Sequence, residues 1–244
     1  MKLSVALFFA GLFGALATLF ILLSFGTDYW LVAYETCHKT ALDVEPGDVA
    51  VNQDLDKFYP DKFYHEGFFW LCSFKGRLES SPGDNLLKFW FTNQQEIKEC
   101  KPAFLFPFPV SVESHNTTIY DSAIIYRGFW SIFLLVGVAA VVLGGFIIIC
   151  AAPFASHCLY KAGGGLYLIS VLFVLAATVM SVIWNEALHM IPQYEQHHQG
   201  KCEKFQVNIM YGISFMLAPV GVFFCLLAGL LFLLIGRSLQ MHSK

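Results

Sequence analysis

The sequence predicts an all-α membrane bundle of four spanning helices that carries a small extracellular β-sheet. Three observations lead to this fold class. Of the 244 residues, 57% are apolar and 14% are charged. The apolar residues gather in four blocks of about 20 residues, the length that crosses a bilayer. Four cysteines lie in polar segments between the blocks, beside strand-like patterns. We therefore expect a single membrane-embedded domain over residues 1–244.

Four spans follow from blocks that contain no Asp, Glu, Lys or Arg. Their predicted bounds are 3–25, 129–152, 166–184 and 211–235, each long enough for the hydrocarbon core. The first block could instead be a cleaved signal peptide that starts at Lys2. Its apolar run continues from Thr18 to Phe25, which is too long for a signal core. We therefore expect an uncleaved first span.

The charge distribution predicts the orientation. Segment 26–128 carries nine basic and fifteen acidic residues, and segment 185–210 carries two basic and three acidic residues. The remaining flanks, at 1–2, 153–165 and 236–244, hold four basic residues and no acid. Short flanks rich in Lys and Arg stay in the cytoplasm. Residues 26–128 and 185–210 are therefore expected outside, in a multi-pass plasma-membrane protein with both termini in the cytoplasm.

The four outer cysteines predict disulfides, because an exterior compartment is oxidising. Four cysteines allow three pairings. We favour Cys72 with Cys100, which closes a loop within the first outer segment, and Cys37 with Cys202, which ties the two outer segments together. The first bridge would contribute about 3 kcal/mol by restricting the unfolded chain.

Two residues are candidates for covalent modification. Asn116 begins the one N-glycosylation sequon, Asn116–Thr118, on the expected outer side. Cys158 lies beside the inner face of the membrane, where reversible acylation occurs. The two other inner cysteines, Cys150 and Cys225, are expected to be ordinary apolar packing residues.

The outer segments also show strand and turn patterns. Apolar or alternating runs predict strands at 29–34, 67–74 and 86–91. Residues 43–61 are acidic and contain Pro and Gly, so we expect an exposed insertion there, with a further turn at 80–85. Three phenylalanines lie among prolines after Cys100. These residues are Phe104, Phe106 and Phe108. We expect them either to pack under the sheet or to form an exposed apolar contact patch.

One set of these residues resembles the signature of the claudin superfamily. Trp30 lies just outside span one, the run Gly67–Cys72 is followed by the second cysteine Cys100, and Arg127 precedes span two. The family signature is a tryptophan, then Gly-Leu-Trp, then two cysteines and an arginine. The resemblance covers all four spans and both outer segments. It implies a left-handed four-helix bundle capped by an extracellular sheet, with Trp30, Gly67, Trp70 and Arg127 as scaffold residues.

Longer runs resemble one muscle-associated group within that superfamily. The runs are 25–30, 120–123, 125–130, 151–157, 159–165 and 226–233. This resemblance implies a regulator that restrains myoblast fusion through an adhesion receptor of the integrin β type. If the outer loops form the contact surface, we expect specificity to reside in residues 39–66 and 73–99. The spacing from Cys72 to Cys100 is longer than in tight-junction claudins, and the chain ends in Lys244 rather than valine. Both departures disfavour a paracellular strand-forming role.

Two other functions remain as alternatives, an auxiliary subunit of an ion channel and a claudin-like junction component. No catalytic triad, carboxylate pair or nucleic-acid motif is present in the sequence, so we expect no enzymatic activity, cofactor, nucleic acid or small-molecule substrate. The glycine run 163–165 lacks the Lys-Ser/Thr of a phosphate loop and is expected to be a turn. Three histidines near Cys202 lack a zinc-site spacing, and they are His189, His197 and His198.

Polar and small residues in the spans are expected to serve packing. Hydroxyls in span three can bond to the backbone of their own helix. Small residues at four-residue spacing let helices approach closely in lipid. They are Ala6, Ala10, Gly14 and Thr18 in span one, Ala140 and Gly144 in span two, and Gly221, Cys225 and Gly229 in span four. We expect contacts within one bundle, with a homo-oligomer or a partner helix as the alternative.

Overall fold

A computed structural model describes residues 3–37, 62–75, 98–108, 118–154, 156–187 and 205–242. The elements in chain order are α1 Leu3–Gly26, β1 Leu31–Cys37, β2 Lys62–Glu66, β3 Trp70–Lys75, β4 Lys98–Pro102, α2 Thr118–Phe154, α3 His157–Ala187, β5 Phe205–Tyr211 and α4 Ile213–His242. They divide into two compact units. The helical unit is Met1–Thr27, Ile124–Ala187 and Ile213–Lys244, and the sheet unit is Asp28–Ala123 and Leu188–Gly212.

All four long helices in the described part of the chain are apolar enough to cross a membrane. The predicted fold class, four spanning helices with a small antiparallel sheet, is confirmed. The helices are longer than the apolar blocks, because α2 begins at Thr118 and α3 at His157. Pro153 lies in the last turn of α2, which ends one residue later at Phe154.

The glycine run 163–165 is helical and lies inside α3, so the expected turn is wrong. A Cβ atom on Gly164 would come within 2.9 Å of the Gly229 carbonyl oxygen in α4. One on Gly163 would lie 2.5 Å from Cδ1 of Ile148 in α2, whereas one on Gly165 would meet no atom within 4 Å. Two of the three glycines therefore let neighbouring helices approach α3, which is the role that small residues have in membrane bundles.

The small-residue stripes lie inside the bundle. The stripe members with less than a tenth of their surface exposed are Ala6, Ala10, Gly14, Ala140, Gly144, Gly221, Cys225 and Gly229. Gly221 lets α4 approach α1 closely, since a Cβ at this position would lie 2.7 Å from Cγ1 of Ile21. Near that junction the Ser24 hydroxyl donates to the Ser214 carbonyl oxygen at 2.6 Å. Close packing and buried hydroxyl bonds thus join the first and last spans.

Of three hydroxyls in α3 that were expected to bond to their own helix, those of Thr178 and Ser181 do so, whereas the buried Ser170 Oγ makes no hydrogen bond to the helix backbone. Thr178 Oγ1 donates to the Val174 carbonyl oxygen at 2.8 Å, and Ser181 Oγ donates to the Ala177 carbonyl oxygen at 3.1 Å. These bonds satisfy the side chains inside the span, where no water is available.

The sheet has five antiparallel strands in the order β4-β3-β2-β1-β5. Strands β1 and β3 overlap the predicted 29–34 and 67–74, while β2, β4 and β5 were not predicted. The remaining sequence features, the strand at 86–91, the insertion at 43–61 and the turn at 80–85, lie outside the described residues.

One face of the sheet carries an apolar core. Leu31 and Ala33 of β1, Val207 of β5 and Phe108 are buried together, and Tyr64, Leu71, Phe205 and Ile209 pack against them. The alternation of side chains puts the strand members of this cluster on a single face. Phe108 reaches them from the segment after β4, so this segment covers the face.

Candidate functional site in the five-stranded sheet

The two outer segments of the sequence meet in one sheet. Strand β5 of the second segment pairs antiparallel with β1 of the first, from Leu31 opposite Tyr211 to Cys37 opposite Phe205. A surface formed by this sheet is therefore composite, and its shape depends on both segments.

A disulfide crosses the other half of the sheet. Cys72 of β3 lies opposite Cys100 of β4 in the register, and the two are joined by the bridge that we favoured. The alternation of side chains places both on the face opposite the apolar core. The bridge fixes strand β4, which carries Lys98, Glu99 and Lys101, to its neighbour β3.

The other outer cysteine pair is only partly described. Cys37 ends β1, but its side chain and the whole of Cys202 lie outside the described residues, as does the sequon at Asn116. Because Cys37 pairs with Phe205, Cys202 is three residues along the chain from the last register pair. The Cys37–Cys202 bridge stays a prediction.

The signature residues Trp30 and Gly67 hold the start of β1 against the end of β2. Trp30 is buried. Its backbone N–H donates to the Glu66 carbonyl oxygen at 2.8 Å, and its backbone carbonyl accepts from the Gly212 N–H at 3.2 Å. A Cβ atom on Gly67 would lie 2.2 Å from Cα of Asp28. Since that neighbour is backbone, only glycine fits, and this close approach gives a physical reason for the signature glycine.

His65 is a buried histidine that the sequence analysis missed. Its Nδ1 lies 2.8 Å from the Asp28 carbonyl oxygen, which requires Nδ1 to carry the proton. Its ring stacks on Tyr29 with centroids 4.7 Å apart. Burial lowers the pKa of His65, and the positive charge of Lys98 lowers it further. The hydrogen bond to the Asp28 backbone raises this pKa, but the two other effects are larger together. Burial and the nearby Asp28 charge raise the pKa of Tyr29. Both rings are thus kept neutral at neutral pH.

A buried carboxylate lies next to that histidine. Glu66 is buried, and its Oε2 accepts a hydrogen bond from the Phe108 N–H at 3.0 Å. This bond ties the segment after β4 to strand β2. No sequence pattern pointed to His65 or Glu66, because a short strand with charged residues at both ends does not show apolar alternation.

The three phenylalanines after Cys100 take different positions. Phe108 packs under the sheet, Phe106 is half-buried, and Phe104 is exposed beside Leu105. The signature Trp70 is also half-exposed, although the resemblance implies a scaffold role for it. Phe108 therefore packs under the sheet, as the first expectation had it, and Phe104 is exposed, as the second had it.

Arg127 lies in α2, within the helical unit. Its guanidinium carbon is 4.3 Å from the ring centroid of the buried Trp130, a cation–π distance. One residue earlier, the ring of Tyr126 stacks on Trp184 of α3 with centroids 4.5 Å apart. From the sequence we also predict that Arg127 pairs with a carboxylate of the acidic segment 26–128. The Tyr126–Trp184 stack thus connects α2 with α3, while Arg127 packs on a residue of its own helix.

The three remaining cysteines carry thiols. Cys225 is buried in α4 and Cys150 is half-buried in α2, while Cys158 is exposed in the first turn of α3. Within the described ranges, no three His, Cys, Asp or Glu side chains come together as a metal site. His189, His197 and His198 lie outside those ranges. What the sheet does show is a disulfide between two of its strands, Cys72 to Cys100.

Comparison with known proteins places these features in a family. The family model described as PMP-22/EMP/MP20/Claudin tight junction matches residues 15–234. Proteins named Transmembrane protein 182 are similar over the whole chain. The Danio rerio protein is 61% identical, with 98% of each chain covered. The Gallus gallus protein is 49% identical over 100% of each chain, and the Homo sapiens protein is 46% identical over 99% of this chain and 100% of its own.

Proposed function

Because this chain belongs to the PMP-22/EMP/MP20/claudin family, and within it to the transmembrane protein 182 family, we propose that it is a plasma-membrane regulator of muscle-cell fusion. It limits myoblast differentiation and fusion by associating with an adhesion receptor of the integrin β type in the same membrane. The muscle role follows from the resemblance to this group. The geometry of the sheet supports the mode of action, which is recognition of another protein by an exterior surface.

The observation that carries the proposal is the composite sheet. Two segments of the chain that are far apart in sequence contribute paired strands to it, and the Cys72–Cys100 bridge fixes one edge. A preorganised surface loses little conformational freedom on binding, which favours affinity for a partner. The buried His65, Glu66 and Trp30 contribute to that rigidity without occupying the outer faces.

The sheet also narrows the contact region. Strand β2 lies at the centre of the sheet, so residues 62–66 support the surface instead of supplying most of its contacts. The exposed polar residues of the edge strands β4 and β5 are better placed to contact a partner protein. These residues are Glu99, Lys101, Gln206 and Asn208. With the acidic segment 39–61, they offer charged and polar groups for specificity.

A loop exchange tests the proposal in fusing myoblasts. Residues 26–128 are replaced by the corresponding loop of a claudin, and both proteins are expressed at equal surface levels. Integrin β recovery after surface cross-linking and the fraction of nuclei in myotubes are then measured. We expect the parent chain to recover the receptor and to lower fusion, and the exchanged chain to do neither.

Three results would contradict the proposal. Receptor capture by the exchanged chain would show that the sheet does not carry recognition. Recovery of ion-channel subunits without any adhesion receptor would point to the auxiliary-subunit function instead. Continuous intramembrane strands in freeze-fracture images of expressing cells would indicate a junction component.

A further inference from the structure

Helices α3 and α4 pack closely where α3 begins and α4 nears its end. A Cβ atom on Gly236 of α4 would lie 2.7 Å from Cγ of Lys161 and 3.0 Å from the His157 carbonyl oxygen, both in α3. One turn earlier in α4, the buried Phe232 stacks on the buried Tyr160 of α3, with ring centroids 6.3 Å apart. Because Gly236 has no side chain, the stem of Lys161 lies directly on α4.

Lys161 reaches across this contact to the other helix. It is half-buried, and its Nζ donates a hydrogen bond to Oε1 of Gln240 in α4. Arg237 is exposed and lies three residues before Gln240, so these two side chains are neighbours on the helix surface. Lys161 and Arg237 therefore place two cations on the same part of α4, and we call them the basic pair.

The acidic residues of the four described helices lie far from the basic pair. They are Asp121 in the first turn of α2 and Glu186 near the end of α3. Glu186 is about 38 Å from Lys161 along the axis of α3, at about 1.5 Å per residue. Helix α2 ends at Phe154, next in the chain to the start of α3, so Asp121 is likewise at the far end of its helix. No carboxylate of these helices therefore balances the two cations at short range.

The basic pair adjoins an exposed apolar stripe of α4. Leu230 and Leu234 have exposed fractions of 47 and 59%, and they precede Arg237 by seven and three residues on one helix face. The helix that carries them is long and apolar enough to cross a bilayer. A molecule that contacts Arg237 therefore meets cations and an apolar surface side by side.

We infer that the basic pair binds the head group of an acidic phospholipid whose acyl chains follow the stripe of Leu230 and Leu234. Phosphate oxygens accept charge-assisted hydrogen bonds from both an ammonium and a guanidinium group. A free phosphate ion would use the cations alone, whereas a phospholipid uses the apolar stripe as well, so the structure favours the lipid. The sequence predicts that this end of the bundle lies in the cytoplasm, and acidic lipids are concentrated in the cytoplasmic leaflet. This site uses no residue of the sheet and goes beyond the proposed function.

Lipid titration of the purified full chain tests the inference without any partner protein. The chain in detergent is titrated with phosphatidylserine, phosphatidylinositol bisphosphate or phosphatidylcholine of the same acyl chains, and bound lipid is counted by native mass spectrometry. We expect the two acidic lipids to bind more tightly than phosphatidylcholine. Replacing both cations, Lys161→Gln with Arg237→Gln, should weaken binding of the acidic lipids about 25-fold, or about fivefold for each cation.

A matched control removes the same charge elsewhere. Lys2→Gln with Lys244→Gln replaces the two other basic residues of the short flanks, and it should change the affinity for acidic lipids by less than about twofold. Arg237→Gln alone, at an exposed position, keeps the test decisive if the Lys161 substitution disturbs the helix contact.

Three results would overturn the inference. An equal loss in the two double variants would show that the lipids respond to net charge and not to the basic pair. Equal affinity of the parent chain for acidic lipids and for phosphatidylcholine would show that the cations do not select a head group. Binding of soluble inositol trisphosphate as tightly as of the bisphosphate lipid would assign the cations to a free phosphate compound instead.

Discussion

A histidine at position 65 is held neutral inside the sheet by its surroundings. It stacks on Tyr29, donates from Nδ1 to the Asp28 carbonyl oxygen, and lies near the positive charge of Lys98. The first two contacts orient the ring, while burial and the lysine charge disfavour a second proton. One residue on, Gly67 allows the backbone of Asp28 to approach.

We predict that His65 makes the stability of the sheet depend on pH. Its pKa is lower in the folded protein than in the unfolded chain, where it is about 6.5. Its contribution is therefore fully present above about pH 6.5 and is lost as the pH falls toward the folded pKa, by about 1.4 kcal/mol for each pKa unit of the shift. Urea unfolding of the purified protein at pH 7.5 and pH 5.0 should show this loss, and His65→Gln should reduce the pH slope.

The change in the free energy of unfolding between pH 7.5 and pH 5.0 tests this prediction. The stability at a single pH does not, since His65→Gln also alters packing. An equal slope in the parent chain and in His65→Gln would show that His65 is not the titrating group.

Sequence analysis identified some of these residues and missed others for physical reasons. Trp30, Gly67 and Cys72 stand in a recognisable order, so their importance could be predicted, although the close approach that requires Gly67 could not. His65 and Glu66 sit in a short strand with charged ends, and polar residues of that kind usually mark exposed chain. Their burial depends on the partner strands and on the segment of Phe108, which no local pattern reveals.

Helix α3 contains three consecutive glycines whose neighbours differ. Gly163 faces α2 and Gly164 faces α4, whereas Gly165 faces open space. A glycine run usually indicates a turn, because glycine weakens helices in water. In a membrane the backbone must satisfy its own hydrogen bonds, so the helix persists and the missing side chains allow close packing.

Neighbouring alanine substitutions in α3 should have opposite effects. We expect Gly164→Ala to destabilise the protein by about 1–3 kcal/mol, since the new Cβ would meet backbone atoms of α4. Gly165→Ala should be neutral or stabilising by up to about 1 kcal/mol, because alanine favours the helix and meets nothing. Thermal melting in detergent, read from loss of the monomeric fraction, would measure both. Equal destabilisation by the two variants would contradict this account of the helix contacts.

The strands differ in how visible they were. Strands β2 and β4 contain charged residues and therefore lack the apolar alternation that predicts a strand. Each is identified only by its pairing with β3 in the structure. Strand β5 did carry a signal, since Phe205, Val207, Ile209 and Tyr211 alternate with Gln206, Asn208 and Met210. The predicted fourth span begins at Tyr211, so the alternating run merges with the apolar block that follows it.

At the scale of the whole molecule, the chain uses one sheet to connect parts that are distant in sequence. Among the described residues, the first outer segment supplies four strands and the second supplies one, with seven register pairs between β1 and β5. The spanning helices could be predicted because each carries its own signal in an uninterrupted apolar block. The pairing of β1 with β5 could not, although the favoured Cys37–Cys202 bridge predicted that the two segments meet.

The final prediction concerns that bridge and the side of the membrane on which it forms. The register ends at Cys37 opposite Phe205, and an antiparallel continuation brings Cys202 within a few residues of Cys37. We expect peptide mapping without reductant to recover Cys37 linked to Cys202, separately from Cys72 linked to Cys100. Cys37→Ser should then expose Cys202, and Cys202→Ser should expose Cys37, to a membrane-impermeant maleimide on intact cells. The parent chain, with both outer bridges closed, should not react. Reaction of the single variants only after permeabilisation would mean that these segments lie inside, and labelling of the parent chain at Cys37 would mean that the bridge is absent.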